Sequence, residues 1–218
     1  MSPIAFVGGT GSEGLGLALR LVAAGETVIV GSRTADRAVE AAETIRTAVP
    51  EARVSGMDNR EAVARADRVA LTFPFGALQA FLDAAGTLLA GKLVIDVIVP
   101  LALRAGFFAL APIPGAASVG ELIQQSVPQA RVVSAFKNLS AEKLRDLAAP
   151  LAGDVIVCGN DDGARAEVAR LVGLIPGLRP VDAGGIANAR YLEAITALLL
   201  NLNRRHRALT SIAIQGLD

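Results

Sequence analysis

A single cysteine, a single histidine and no tryptophan deprive this 218-residue chain of the material for several kinds of site. Cys158 alone excludes an internal disulfide framework, and with His206 it supplies too few ligands for a structural zinc centre, so no metal is expected. A bias of charge is also missing: 21 Lys and Arg stand against 21 Asp and Glu, a formal net charge of zero. With no basic stripe interleaved with aromatics, nucleic acid is not an expected partner. No uninterrupted apolar run is long enough to span a bilayer. The amino terminus runs straight into glycines, without the basic and apolar regions of a signal peptide, so the expected location is the cytoplasm.

What the chain has is apolar bulk, 52% of its residues, enough for a sizeable core without covalent staples. Short β-branched runs alternate with longer helical patterns, as in βαβ units on a parallel sheet. Strands are expected at residues 4–7, 27–30, 53–55, 68–72, 92–97, 131–135, 155–158 and 179–182. The clearest amphipathic helix covers residues 35–48, with Ala38, Ala41, Ala42, Ile45 and Val49 at helical spacing. Asp58-Asn59 and Asp161-Asp162 stand where they would cap helices. Residues 100–130 are interrupted by Pro100, Pro112, Pro114 and Pro128, and read as a loop over a ligand or a helix capped near Ser118. The leucine-rich segment 187–209 is a helix apolar on more than one face, for burial in the core or against another subunit. The fold class is α/β: a Rossmann-type, doubly wound, mainly parallel sheet with a small helical domain at the carboxy terminus. The expected division is a nucleotide-binding domain, residues 1–135, and a smaller part, residues 136–218, for a second substrate and dimerisation.

The most informative stretch is Gly8-Gly9-Thr10-Gly11-Ser12-Glu13-Gly14-Leu15-Gly16. Gly9, Gly11 and Gly14 satisfy G-x-G-x-x-G directly after a strand and before a helix, the context that makes this motif a dinucleotide site. One glycine makes the turn, one admits the pyrophosphate, and one lets helix and strand close up. Gly9 through Gly14, including Thr10, Ser12 and Glu13, are therefore expected to bind cofactor. The next strand ends in Gly31-Ser32-Arg33-Thr34, with Arg37 a turn later, where an NAD site would place a carboxylate. Arg33, Arg37 and Ser32 suit a 2′-phosphate, and charge-assisted contacts of about 1.5–3 kcal/mol each favour NADP(H) over NAD(H). Thr72-Phe73-Pro74, at a later strand end, is expected where the nicotinamide ribose crosses the sheet edge.

Acid–base machinery is sparse. His206 lies among solvating charges in Asn203-Arg-Arg-His-Arg207, and Cys158 reads as a small buried hydrophobe at a strand end. Direct hydride transfer tolerates this poverty, since proximity and orientation supply most of the acceleration. No catalytic side chain is assigned, with Lys137 as the one candidate.

The Gly8–Gly11 loop with Gly14-x-Gly16-Leu17-Ala18-Leu19-Arg20-Leu21, Gly31-Ser32-Arg33, Val155-x-Val157-Cys158-Gly159-x-Asp161-Asp162 and Gly177-Leu178-Arg179-Pro180-x-Asp182-Ala183-Gly184 together resemble the coenzyme F420-dependent NADP oxidoreductase family. The resemblance covers nearly the whole chain. It implies an NADP-binding Rossmann domain and a homodimer whose cleft stacks the 8-hydroxy-5-deazaflavin coenzyme F420 on the nicotinamide, hydride passing between the rings. It further implies that Thr10, Ser32, Arg33 and Arg37 hold the 2′-phosphate and that Val99 and Pro100 touch the rings. Asn138, Asn188 and Arg190 would then contribute to the deazaflavin side. Two positions depart from the family: Lys137 stands where relatives often carry histidine, and Ala187 and Ala189 replace two serines. Lys137 is compatible with an anionic ring or phosphate, or with another planar acceptor such as a reduced pterin, a flavin or an imine. A non-enzymatic NADP(H)-sensing module is the remaining alternative.

Overall fold

The computed structural model describes residues 2–217. Its centre is an eight-stranded sheet formed by β1 (Ile4–Val7), β2 (Val28–Ser32), β3 (Val54–Asp58), β4 (Arg68–Leu71), β5 (Leu93–Asp96), β8 (Arg131–Ser134), β9 (Gly153–Gly159) and β10 (Leu178–Asp182). The spatial order is β10-β9-β8-β5-β4-β1-β2-β3. Neighbours are parallel except β8 and β9, which meet antiparallel with Ser134 opposite Cys158. The chain moves outward from β1 on one side through β2 and β3, and on the other through β4 and β5. The reversal between β1 and β4 opens a crevice beyond their carboxyl ends. Within the described residues 136–217, β9 and β10 extend this sheet rather than build a separate one.

Burial on both faces explains the apolar strand runs. Ile4 and Phe6 point to the side covered by α1 (Ser12–Ala23), α2 (Ala35–Ala48) and α7 (Asp162–Gly173). Ala5 and Val7 point to the other, covered by α3 (Asn59–Ala64), α4 (Leu78–Ala85) and α5 (Val119–Ser126). The expected caps are present: Asp58 accepts from Glu61 N–H, Ser118 from Glu121 N–H and Asp161 from Ala164 N–H. Arg20 of α1 donates to the carbonyls of Lys143 and Leu144, fastening the short helix α6 (Ala141–Arg145) beside α1. Cys158 is fully buried, and burial pushes its thiol up to about 11, so it is an inert part of the core. Among the described residues, no helix is long and apolar enough to cross a membrane.

Residues 101–110 depart from the sequence expectation of irregular structure. They form an antiparallel hairpin, β6 (Leu101–Arg104) and β7 (Phe107–Leu110), turning through Ala105 and Gly106 at φ 46° and 85°. Two consecutive positive φ values make the tight two-residue turn that matches strand twist. The usual sequence cue, asparagine before glycine, is absent here because alanine takes the first position. The hairpin leans on α8 (Ala189–His206), where Asn201 accepts from Phe108 N–H at 2.7 Å and donates to its carbonyl at 2.8 Å. The closing helix is buried on one side only: Leu192 and Leu199 are in the core, whereas Tyr191 and Leu198 are 57% exposed.

Gly56 of β3 lies against the backbone of Ala38 and Val39 in α2, where an added Cβ would overlap main-chain atoms. Gly56→Ala is expected to destabilise the protein by roughly 1–3 kcal/mol, the cost of overpacking a fixed contact. Thermal unfolding followed by circular dichroism checks this; an unchanged midpoint would show that α2 can shift freely.

Candidate functional site

The loop from β1 to α1 is held from three directions. Gly8 turns at φ 73°, and its N–H donates to Asn59 Oδ1 at 3.1 Å. The N–H of Gly9 donates to the carbonyls of Phe6 and Gly31, at 3.0 and 2.9 Å. Cβ atoms at Gly9 or Gly14 would collide with protein: the first meets the Phe6 carbonyl oxygen at 2.8 Å, and the second overlaps Thr72 Oγ1. Gly11 differs, since a Cβ there would find nothing nearer than the Gly8 carbonyl oxygen at 3.5 Å. The room above Gly11 is therefore open to a ligand. No side chain caps the start of α1, so its leading N–H groups and the positive end of its dipole face that room. Among the described residues this is a cradle that fits a pyrophosphate.

Two cavities meet at the cradle and share Gly11, Thr72, Phe73 and Pro74. One, about 610 Å³, is lined by Thr10, Ser32, Arg33, Arg37, Asn59 and Arg60, with Ala77, Ala80, Phe81 and Ala84 as an apolar wall. Among the described residues, no aspartate or glutamate lines it. Arg33 and Arg37 are exposed, and neither takes part in an ion pair among the described residues. Three guanidinium groups around a hydroxyl-bearing loop suit a phosphate monoester, and the apolar wall suits a flat base.

The second cavity, about 560 Å³, runs from Ser12 and Glu13 past Val97, Ile98 and Val99 to Lys137, Asn138 and α8 residues Thr196 and Leu199. Its walls are largely aliphatic, as a site for stacked rings requires. Glu13 sits at the junction with burial pushing its carboxyl up to about 8. Most of the residues expected to bind ligands are thus brought to one crevice. Gly9 and Gly14 support it from below without lining it, and Pro100 is buried behind Val99. Asn188 and Arg190 line neither cavity: Asn188 donates to the Ala183 carbonyl at 2.7 Å, and Arg190 lies exposed over the Tyr191 ring. Sequence reasoning missed Asn59 and Arg60, which follow the capping Asp58 and read as ordinary helix-start residues.

Lys137 lines the second cavity, yet its side chain is fully buried and its ammonium is engaged inward. It lies 2.6 Å from Asp96 Oδ2, 3.1 Å from Glu193 Oε1 and within hydrogen-bonding reach of the Ile98 carbonyl. Phe136, buried at φ 61°, turns the chain so that Lys137 reaches this position. Asp96 also accepts from Ser134 Oγ at 2.6 Å and from Ile98 N–H at 3.0 Å, and Glu193 accepts from Val119 N–H at 2.9 Å. Burial raises the pKa of Glu193, with Asp96 adding to the effect and Lys137 opposing it. The cluster ties β5, β8, α5 and α8 together beneath the Val97–Val99 wall.

The switch-point crevice, the glycine cradle and the arginine-lined chamber define a dinucleotide-dependent oxidoreductase of the Rossmann class. Residues 3–100 match the family described as NADP oxidoreductase coenzyme F420-dependent. An F420-dependent NADP reductase of Methanocaldococcus jannaschii is 38% identical over 99% of both chains. One from Methanothermobacter marburgensis is 39% identical over 94% of this chain and 93% of its own. A crystal structure from Arthrobacter sp. FB24, described as a candidate F420-dependent NADP reductase, superposes with a TM-score of 0.82 at 27% identity, covering both chains fully. The chain belongs to the coenzyme F420-dependent NADP oxidoreductase family.

Replacing Lys137 would strand two buried carboxylates. Lys137→Met is expected to destabilise the fold by roughly 3–5 kcal/mol. Urea unfolding measures it, and an unchanged transition would show that the ion cluster does not hold the wall of the second cavity.

Proposed function

We propose that the chain moves hydride between NADP(H) and the 8-hydroxy-5-deazaflavin coenzyme F420 by direct ring-to-ring transfer. The observation that carries this reading is the pair of cavities sharing Gly11, Thr72, Phe73 and Pro74. One dinucleotide laid across that shared edge has its 2′-phosphate among arginines and its nicotinamide at the mouth of an aliphatic chamber. The names of the relatives supply the second substrate class.

Thr10, Ser32, Arg33 and Arg37, joined by Arg60, would hold the 2′-phosphate. Gly11 and the start of α1 would hold the pyrophosphate, with Ser12 and Glu13 at the turn. Thr72, Phe73 and Pro74 would fix the nicotinamide ribose. Val97, Ile98 and Val99 would press a second ring against the nicotinamide and exclude water, while Asn138 offers a polar contact. NADPH supplies the hydride when bound, and the protein supplies alignment. Because the Lys137 ammonium is committed to Asp96 and Glu193, it gives no ground for preferring a pterin, flavin or imine as acceptor.

A homodimer completes the proposal. Leu103 and Phe107 of the hairpin are 64% and 51% exposed, with Tyr191 and Leu198 also exposed on α8, the helix to which Asn201 fastens the hairpin. Such clustered apolar side chains on two adjoining elements favour cover by a second copy. Residues 136–218, with the hairpin, would then carry both the acceptor side of the cleft and the interface. Light scattering at micromolar concentration is expected to give twice the monomer mass; a monomer would contradict this.

Arg33→Ala is expected to weaken NADPH binding at least about tenfold and leave NADH nearly unchanged, through loss of one charge-assisted contact. Fluorescence titration with both nucleotides checks it, and equal losses would remove Arg33 from the 2′-phosphate site. The activity itself is tested by mixing protein, NADPH and oxidised coenzyme F420 without oxygen and following the visible absorbance of the deazaflavin. Rapid protein-dependent bleaching is expected. Absence of bleaching by protein that binds NADPH would contradict the assignment of acceptor.

A further inference from the structure

Hydride transfer from NADPH to a deazaflavin leaves a proton unaccounted for. The acceptor takes up two electrons and two hydrogen nuclei, and NADPH supplies only one nucleus with the electron pair. The chain has few groups that could supply the other. His206 is exposed on the last turn of α8, Cys158 is buried in the core, and Lys137 is engaged inward. The second cavity has one further titratable group besides these and Glu13, the exposed Glu142 at its rim on α6.

Glu13 differs from all of them. It lines the second cavity from the start of α1, next to the four residues shared by both chambers. Its Oε1 is buried and has no hydrogen-bond partner. Among the described residues, three buried side-chain oxygens lack a partner, and two of them, Glu13 Oε1 and Asn138 Oδ1, belong to residues lining this same cavity. A carboxylate with a bare buried oxygen is costly, whereas a neutral carboxylic acid is not penalised in the same way. Among the described residues, no cation compensates it: Arg20 on the same helix donates to carbonyls at the α6 side, and the Lys137 charge is matched by Asp96 and Glu193. The positive end of α1 favours an anion there, but a pyrophosphate in the cradle would take up that field and repel a second negative charge.

We propose that Glu13 is the proton donor of the cleft, a neutral carboxylic acid that releases its proton to the acceptor as hydride arrives. The proposal rests on the hydride-transfer reading above. Its chemistry balances. As the C4–H bond of the dihydronicotinamide breaks, its electron pair and hydrogen form a new C–H bond on the acceptor ring. The Glu13 O–H bond breaks, and its proton goes to the ring heteroatom that gains negative charge. The Glu13 carboxylate then faces a cationic nicotinamide, and water returns a proton to it after the products leave. In the opposite direction the carboxylate accepts that proton. Burial, which pushes Glu13 up to about 8, keeps the acid form present at neutral pH, near the operating pH at which a general acid is most effective.

The test separates Glu13 from the identity of the acceptor. NADP+ and NADPH carry the same phosphates and differ in ring charge alone. Calorimetric titration at pH 8, in two buffers of different ionisation enthalpy, counts the protons released by each. Wild-type protein is expected to release more protons on binding NADP+ than on binding NADPH, and Glu13→Gln is expected to lose that difference while still binding both nucleotides. Equal release for the two nucleotides in the wild type, or a difference that survives in Glu13→Gln, overturns the proposal. In single-turnover reduction of the deazaflavin, the wild-type rate should fall as pH rises through about 8. Glu13→Gln should lose that limb and run about a hundredfold slower at pH 6; a rate and profile like the wild type's would also overturn it. If the wild type reduces no deazaflavin, the acceptor is wrong, and the calorimetric difference still decides whether Glu13 carries the proton. Should the glutamine variant not fold, Glu13→Leu serves in both measurements.

Discussion

The contact of Gly14 with Thr72 is the constraint on which the rest of the site depends. Thr72 Oγ1 donates to the Val7 carbonyl at 2.9 Å, so the end of β4 is tied to the end of β1. A side chain on Gly14 would overlap that hydroxyl, so α1 can start this close to the sheet only with glycine there. From this approach follow the open space over Gly11 and the position of Phe73 and Pro74 at its edge. Those residues form the border common to both chambers. A wider gap would separate the chambers into two unrelated pockets.

Charge divides the two chambers by function. The first chamber gathers Arg33, Arg37 and Arg60 at an exposed rim, where guanidinium groups without an ion pair among the described residues would attract a phosphate. The second chamber keeps its lysine out of reach. Lys137 bridges Asp96 and Glu193 beneath Val97–Val99, with Glu193 Oε2 left without a partner among the described residues, and the cluster acts as a floor rather than as chemistry. Such buried ionic sets contribute little net stability but penalise alternative arrangements heavily when one partner is lost. Flat apolar walls on a fixed floor suit a reaction whose main demand is the alignment of two rings.

Most of the sheet strands were legible because burial on both faces writes a short apolar run into the sequence; observed bounds differ from the expected ones by at most three residues, the largest difference falling at the end of β3. The phosphate loop was legible for a related reason, since Gly9 and Gly14 answer to steric demands that no other residue meets. The hairpin at 101–110 was not, because its turn uses Ala105 at positive φ and neither strand carries a fully buried residue. The inward fate of Lys137 was hidden too: its partner Glu193 lies 56 residues away, and a lone lysine after a strand says nothing about such a contact. Arg190 was expected at the acceptor side, yet it opens α8, while the cavity is lined by Thr196, Leu199, Leu200 and Asn203 further along the same helix.

The central claim is that nicotinamide and acceptor ring meet face to face in one water-excluding cleft. The most direct test uses NADPH deuterated at C4 on one face at a time, with the reduced deazaflavin analysed by mass spectrometry and NMR. The account predicts that deuterium from one face passes completely to the ring carbon of the acceptor, with none lost to solvent, and that label on the other face stays on the nucleotide. Washout of the label into water, or transfer from both faces, would contradict it.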